Sequence, residues 1–396
     1  MDIDAATALL GGLSPARFMQ RHWQRQPLVV RGAWPGVAAP LARPALFELA
    51  ARDDVESRLV ERLAQPRGAS WRVRHGPLPR RALPPLARPG WTLLVQGLDL
   101  HVEAAHALLA PFRFVPAARL DDLMVSWASP GGGVGPHIDS YDVFLLQLEG
   151  RRRWRFGPTR SAAARAFVPG LPLKILARFE PTHDVVLEPG DMLYLPPLWA
   201  HDGTAEGGPC MTASVGFRAP SAPELARELL PRLLDEGDGP RGAAHGAALY
   251  ADPAQPALAQ AGAVPPALTA FARTALEREI ERAVAAPAAL DRALGEWLSE
   301  PKPQVWFEAG AARTGRGALR LDRRTRMLYD ARHVFINGES FRAGGRDATL
   351  LRALADARRL SARQAARFSA GAAALLDEWV AAGWLHEVPD IEGEER

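Results

Sequence analysis

The residues best suited to chemistry in this 396-residue chain lie in Ser129-Pro130-Gly131-Gly132-Gly133-Val134-Gly135-Pro136-His137-Ile138-Asp139. On an extended chain, residues i and i+2 point to one face. His137 and Asp139 can therefore reach one ion while Ile138 turns away. A His-x-Asp pair alone is weak evidence, because chains of this length contain one by chance. The glycines superficially resemble a phosphate-cradling loop, but a dinucleotide fingerprint needs a helix behind it, and Pro136 replaces its last glycine. A strand is expected to follow instead. Glycine beside such a pair fits backbone brought close to a ligand.

A third ligand is offered downstream. Glu188-Pro189-Gly190-Asp191 reads as a turn and Met192–Leu195 as a strand. Pro196-Pro197-Leu198-Trp199-Ala200-His201 then reads as an exit whose prolines hold His201 at a fixed distance from the sheet. His183, after Pro181-Thr182, competes for the same role but lacks a rigid strand exit. Two imidazoles and one carboxylate make the facial triad of non-haem Fe(II) oxygenases, which leaves positions open for co-substrate and O2.

Gly150-Arg151-Arg152-Arg153-Trp154-Arg155-Phe156 gives independent support. As a strand, it sets Arg152, Trp154 and Phe156 on one face and Arg151, Arg153 and Arg155 on the other. An arginine aligned with two aromatics on a core-facing surface is costly unless an anion meets it. A carboxylate is its natural bidentate partner. A diacid such as 2-oxoglutarate fits, one end on iron and the other on Arg152. Ser126, on the preceding strand beside Met124, is placed to add a hydroxyl. The three outward arginines also suit solvent or RNA.

Short alternating segments separated by Gly and Pro must position these groups. Leu120–Trp127, Tyr141–Leu148, Arg151–Phe156, Asp184–Leu187, Asp191–Leu195 and Met211–Phe217 are the predicted strands. So many within about 100 residues predict a β-barrel or jelly roll. Ahead of them, Pro15 to Trp23 and Leu98–Leu109 have helical spacing, while Pro27–Val30, Ser70–Arg74 and Trp91–Gln96 read as extended. From Ser221, a capping box with Glu224 opens a helix carrying Leu225, Leu229, Leu230, Leu233 and Leu234. Glu236 to Pro266 reads as a linker. Helices follow with Leu268, Phe271, Leu276, Ile280 and Val284 on one side, then over Leu290–Leu298. Beyond Pro301-Lys302-Pro303, strands at Ala318–Leu321, Met327–Tyr329 and His333–Ile336 and an Asn337-Gly338 turn precede three helices and a final Trp384–Val388 strand, in the order of a winged helix.

Cys210 is the sole cysteine, which excludes an intrachain disulfide and a cysteine-built metal site and suits a reducing cytoplasm. After Gly207-Gly208-Pro209 it reads as a loop residue. Met1-Asp2-Ile3-Asp4 lacks the basic and apolar regions of a signal peptide. No apolar run approaches the roughly 18–20 residues that cross a bilayer. The 48 basic residues are nearly cancelled by 45 acidic ones, and all but Lys174 and Lys302 are scattered arginines. Direct nucleic-acid binding is therefore not expected.

Taken together, these residues resemble the JmjC-type 2-oxoglutarate- and Fe(II)-dependent oxygenases. The resemblance is closest to bacterial ribosomal oxygenases that hydroxylate an arginine of large-subunit ribosomal protein number sixteen. The segments carrying it are Trp23–Val30, Pro130 to Asp139, Tyr141–Phe144, Gly150 to Trp154, Gly190 to Pro197 with His201, and Ser214–Pro220. The resemblance implies a mainly β catalytic core, a double-stranded β-helix of the cupin/JmjC jelly-roll kind, over residues 1–219. It further implies an α-helical dimerisation region over 220–300 and a C-terminal winged-helix-like domain over 301–396. His137, Asp139 and His201 are then the catalytic iron ligands, and Arg152 and Ser126 bind 2-oxoglutarate. The implied reaction is hydroxylation of an arginine β-carbon in a cytoplasmic homodimer, with Tyr141 and Asp142 as candidates to orient the guanidinium. Two departures touch the pocket rim: Asp202 follows the distal histidine in place of glutamate, and Thr212-Ala213 replace more polar and aromatic residues.

Three other readings remain open from the residues. A hydroxylase of another protein or a small molecule would use the same site. A non-catalytic ribosome- or RNA-binding protein with a cupin-like barrel would use Arg151, Arg153 and Arg155. A cupin dioxygenase or isomerase without 2-oxoglutarate would leave Arg152 unexplained.

Overall fold

The structure, a computed structural model, describes residues 2–65, 68–159, 161, 163–235, 249–253, 264–285, 287–315 and 317–390. Most of the Glu236–Pro266 linker predicted above lies outside the described residues. The chain forms two compact units, one of Met1–Ala219 with Pro303–Trp306 and one of Pro220–Lys302 with Phe307–Arg396.

The first unit begins with α1 (Pro15–Arg21), β1 (Leu28–Val30), α2 (Arg43–Leu49), β2 (Ser57–Gln65), β3 (Gly68–His75) and β4 (Trp91–Val95). Helices α3 (Leu98–His101) and α4 (Glu103–Ala107) replace the single helix expected over Leu98–Leu109, because Val102 between them takes an extended conformation (φ −127°, ψ 119°). Strands β5 (Leu120–Ala128), β6 (Asp142–Pro158), β7 (His183–Leu187), β8 (Met192–Leu195) and β9 (Trp199–Phe217) complete it. Nine strands pair in the order β1-β8-β6-β9-β5-β4-β2-β3, with β7 on β6.

Two expected boundaries are corrected here. The strands predicted at Tyr141–Leu148 and Arg151–Phe156 are one strand, β6, which stays paired with β9 through register shifts around Glu149. Cys210 and His201, read as loop and exit residues, both lie within β9. The prolines instead end β8 and start the turn into β9, so His201 is fixed by strand pairing.

Burial follows the pleat. Arg152, Trp154 and Phe156 are buried and Arg151, Arg153 and Arg155 exposed, as the alternation predicts. One face of the sheet packs with the N-terminal helices in an aromatic core of Phe18, Phe112, Phe144, Tyr194 and Phe217. The other face holds a second cluster with Val143, Leu145, Trp154, Phe156, Leu187 and Leu193. Asp142 is fully buried in the first layer. It accepts from Tyr194 Oη at 2.6 Å, Gln24 Nε2 at 3.0 Å and Arg119 at 3.2 Å. The Tyr194 oxygen in turn accepts the Gln24 N–H at 2.8 Å. Asp142 thus ties the N-terminal segment to the sheet and is not available to orient a substrate.

The second unit opens with α5 (Ala222–Asp235), α6 (Pro266–Val284) and α7 (Pro287–Ser299). Ser221 and Glu224 form the expected capping box. Strands β10 (Ala318–Leu321), β11 (Met327–Tyr329), β12 (His333–Ile336) and β13 (Glu339–Arg342) follow, then α8 (Gly345–Ala357), β14 (Arg359–Leu360), α9 (Ala362–Ala365), α10 (Ala370–Ala381) and β15 (Leu385–Val388). They form two three-stranded sheets, β14-β10-β15 and β11-β12-β13, around a core with Leu354, Leu376, Trp379 and Leu385. Asn337 and Gly338 turn the β12–β13 hairpin with positive φ of 48° and 91°. Among the described residues, no helix is long and apolar enough to cross a membrane.

Candidate active site

Backbone pairing assembles the first part of the site. His137 N–H donates to the His201 carbonyl at 3.0 Å, and His201 N–H returns a bond to the His137 carbonyl at 2.9 Å. This isolated β-bridge sets the two imidazoles side by side, ring centroids 4.2 Å apart. Asp139, two residues along, brings Oδ2 to 3.5 Å from His201 Nε2 and 3.9 Å from His137 Nε2. One ligand atom from each of the three residues lies within 4.8 Å of the others.

Hydrogen bonds fix the tautomers. His137 Nδ1 lies 2.8 Å from the Gly135 carbonyl and His201 Nδ1 2.9 Å from the Trp199 carbonyl. A carbonyl only accepts, so both Nδ1 atoms carry a proton and Nε2 is the ligating atom of each ring, on the side of Asp139. Burial, reinforced by the neighbouring His137, pushes His201 down to about 4, so it is neutral at physiological pH. Two imidazoles with anchored Nδ1–H and one carboxylate suit a divalent first-row transition metal. Side-chain exposures of 25% for His137 and 22% for Asp139, against 4% for His201, show which side of the cluster is open.

The rival histidine is elsewhere engaged. His183 stacks on Phe156 at 4.7 Å, with Thr182 Oγ1 2.8 Å from its Nδ1.

Strand pairing also builds the second part. On β6 and β9, Phe156 pairs with His201, Trp154 with Gly203 and Arg152 with Ala205, so Arg152 lies four residue pairs from the His201 pair. Arg152 is only 4% exposed. Its guanidinium donates to Ser126 Oγ at 3.3 Å and the Gly203 carbonyl at 3.2 Å, and lies 4.9 Å from the Trp154 ring centroid. Its Nε has no partner, and among the described residues no carboxylate pairs with it. A buried cation without a counter-ion is expensive, so this arrangement fits an incoming carboxylate.

Sequence reasoning missed Gly203. A Cβ there would lie 2.7 Å from Arg152 Nε and 2.6 Å from the Trp154 ring. The His-x-Gly spacing from the distal histidine held no signal that this residue makes room for the buried arginine.

The outward face behaves differently. Arg153 donates to Glu206 at 2.7 Å and to Asp184 at 3.0 Å, and Arg155 pairs with Asp202. Two of the three arginines that suited RNA are therefore neutralised by acids on β7 and β9. Arg155, Asp202 and Thr204 also line a cleft of ≈ 280 Å³ with Arg62, Trp71 and Phe179.

Comparison with known proteins agrees with this geometry. The JmjC domain matches residues 107–225 and the ROXA-like winged helix matches residues 278–386. The ribosomal protein uL16 3-hydroxylase of Escherichia coli is 42% identical over 208 residues, covering 52% of this chain and 53% of that protein. By sequence, the chain thus spans about half the length of the curated relatives it matches. The X-ray structure of E. coli YcfD superposes with a TM-score of 0.77 at 31% identity, covering 94% of this chain and 98% of that one. Another, of YcfD in complex with cobalt and 2-oxoglutarate, has a TM-score of 0.72 at 31% identity over 94% and 98% of the two chains. The chain belongs to the JmjC-type 2-oxoglutarate- and Fe(II)-dependent oxygenases, closely related to the bacterial ribosomal oxygenases.

Proposed function

We propose that this protein hydroxylates the β-carbon of an arginine in ribosomal protein uL16, using Fe(II), 2-oxoglutarate and O2. The observation that carries this reading is the pairing of an open two-histidine, one-carboxylate cluster with a buried arginine that lacks a counter-ion. The similar E. coli protein is named for 3-hydroxylation of uL16, which supports the same substrate here.

In this reading His137, Asp139 and His201 hold the metal, and Arg152 and Ser126 hold the far carboxylate of 2-oxoglutarate. Bound there, the metal and co-substrate supply oxygen activation, coupled to conversion of 2-oxoglutarate to succinate and CO2. The chain supplies placement. The Gly135 and Trp199 carbonyls hold both imidazoles in the ligating tautomer. Trp154 and Phe156 wall the site with apolar surface that excludes water. Tyr141 stands next to Asp121 and Gly216, two residues from Asp139. Burial and the charge of Asp139 raise its phenol above the usual range, so it stays a neutral donor. We assign it, rather than Asp142, to the substrate side.

We further propose that the chain works in the cytoplasm as a homodimer, with residues 1–219 catalytic, 220–300 forming the dimer contact and 301–396 a winged-helix-like module. Leu268, Leu276 and Val284 of α6 are 38%, 57% and 50% exposed, which supports a second copy covering them.

Mass spectrometry tests the substrate. Purified protein with Fe(II), 2-oxoglutarate and a uL16 peptide is expected to add one oxygen atom to one arginine and release an equal amount of succinate. Succinate release that is blind to the peptide, with an unmodified arginine, would remove uL16 as the substrate.

A further inference from the structure

The sole cysteine, expected in a loop, lies instead on β9 inside the catalytic unit, where the Arg152 charge reaches it. Cys210 is 2% exposed on β9. Register sets it opposite Ala128 on β5, with Thr212 opposite Ser126 two residues further along. It packs with Ala128 and Ala205, and Ala205 is the cross-strand partner of Arg152. On its other side, Thr212 donates to Gln147 Oε1 at 3.0 Å. Ser126, Thr212, Cys210 and Gln147 therefore form a polar patch in an otherwise apolar interior, with the Arg152 guanidinium on it.

The backbone leaves little freedom there. A Cβ on Gly150 would sit 2.2 Å from the Pro209 carbonyl and about as close as 3.0 Å to Cys210 Cα, so the β6 bulge is pressed directly onto this position. The thiol is held above its usual range by burial, opposed by the charge of Arg152 and by hydrogen bonds with Gln147 and Arg152. It therefore remains a thiol. As such it is a poor nucleophile and an inert packing group with a weak sulfur acceptor.

We propose that Cys210 is a positioning residue for Arg152: its sulfur backs the guanidinium within the barrel and so sets the affinity of the site for the far carboxylate of the diacid. This rests on the 2-oxoglutarate reading given above. Ser126 and the Gly203 carbonyl hold two nitrogens of Arg152. Neither they nor the Trp154 ring supply a partner to Nε. A small, soft, weakly accepting side chain can accommodate the cation without replacing the carboxylate as its counter-ion. A fixed acid at this position would compete with the ligand, and a branched apolar side chain would leave the guanidinium free to tilt.

The test separates this role from simple packing. Wild type, C210S, C210V and R152A would be compared by calorimetric titration with 2-oxoglutarate in the presence of Mn(II), by steady-state kinetics and by thermal unfolding. We expect Cys210→Val to weaken 2-oxoglutarate binding and to raise its KM by about three- to tenfold, with kcat within about twofold. Cys210→Ser, which keeps a small polar atom, is expected to restore most of the binding. Valine and wild type with equal affinity, or serine failing as badly as valine, would overturn the role of Cys210 while leaving the co-substrate reading intact. Wild type that does not bind 2-oxoglutarate, with R152A indistinguishable from it, would overturn both.

Discussion

Single atoms decide whether this site holds its ligands. Asp139 is the only carboxylate in the metal-sized cluster among the described residues, so Asp139→Ala leaves two imidazoles and no anion to balance a dication. Metal binding, followed by Mn(II) electron paramagnetic resonance, is expected to weaken at least about tenfold, and turnover to fall at least about a hundredfold. Gly203 offers a different test, because it touches no reacting atom. The methyl of Gly203→Ala would overlap Arg152 Nε and the Trp154 ring, and a packed indole yields less readily than a flexible chain end. We expect a stability loss of about 1–3 kcal/mol and a raised KM for 2-oxoglutarate. Unchanged values of both would mean that the β6–β9 ribbon shifts to absorb the methyl.

Elements hold these atoms through a few tied corners. Asp191, just ahead of β8, accepts from Gly32 N–H at 2.9 Å, Glu188 N–H at 3.0 Å and Arg31 at 2.6 Å, which locks β1 to the turn that leads toward His201. Burial works to raise its carboxyl, but these donors win and hold it below the ordinary range. A carboxylate whose folded-state pKa is depressed contributes stability above its unfolded value, near 3.9, and loses it as pH falls toward the folded value. Asp191→Asn should thus cost about 2 kcal/mol in urea unfolding at pH 7, and the gap to wild type should shrink below about pH 4. The strands themselves show what sequence can and cannot convey. Alternation from Arg151 to Phe156 was readable because burial follows the pleat. The length of β6 and β9 was not, since Gly150 and Gly207-Gly208-Pro209 mimic turns but lie together where the β6–β9 register shifts and then resumes. Ser57–Gln65 has a single β-branched residue, Val60, among Arg, Leu, Glu and Ala, which have little strand bias, so pairing with β3 and β4 largely makes β2. The fate of Asp142 lay in its contacts with Gln24 and Arg119, far off in the chain.

At the scale of the whole molecule, the unanswered surface lies on α6. The apolar stripe expected there divides on folding. Phe271 and Ile280 are partly covered, and Ala283 is buried with Leu233 and Ala293, whereas Leu268, Leu276 and Val284 remain exposed. Burying each of the three would stabilise an assembly by roughly 1.5–3 kcal/mol before ordering costs. In a two-fold dimer each such residue acts twice, because the same patch is used by both copies. A charge at the centre of that patch should therefore act far more strongly on association than on folding. Leu276→Glu, at a position already 57% exposed, is expected to leave thermal unfolding of the first unit unchanged and to convert the dimer to single chains at micromolar concentration. Light scattering reads the outcome directly. A wild-type mass equal to one chain, or a Leu276→Glu variant with an undiminished dimer mass, would show that α6 is not the contact.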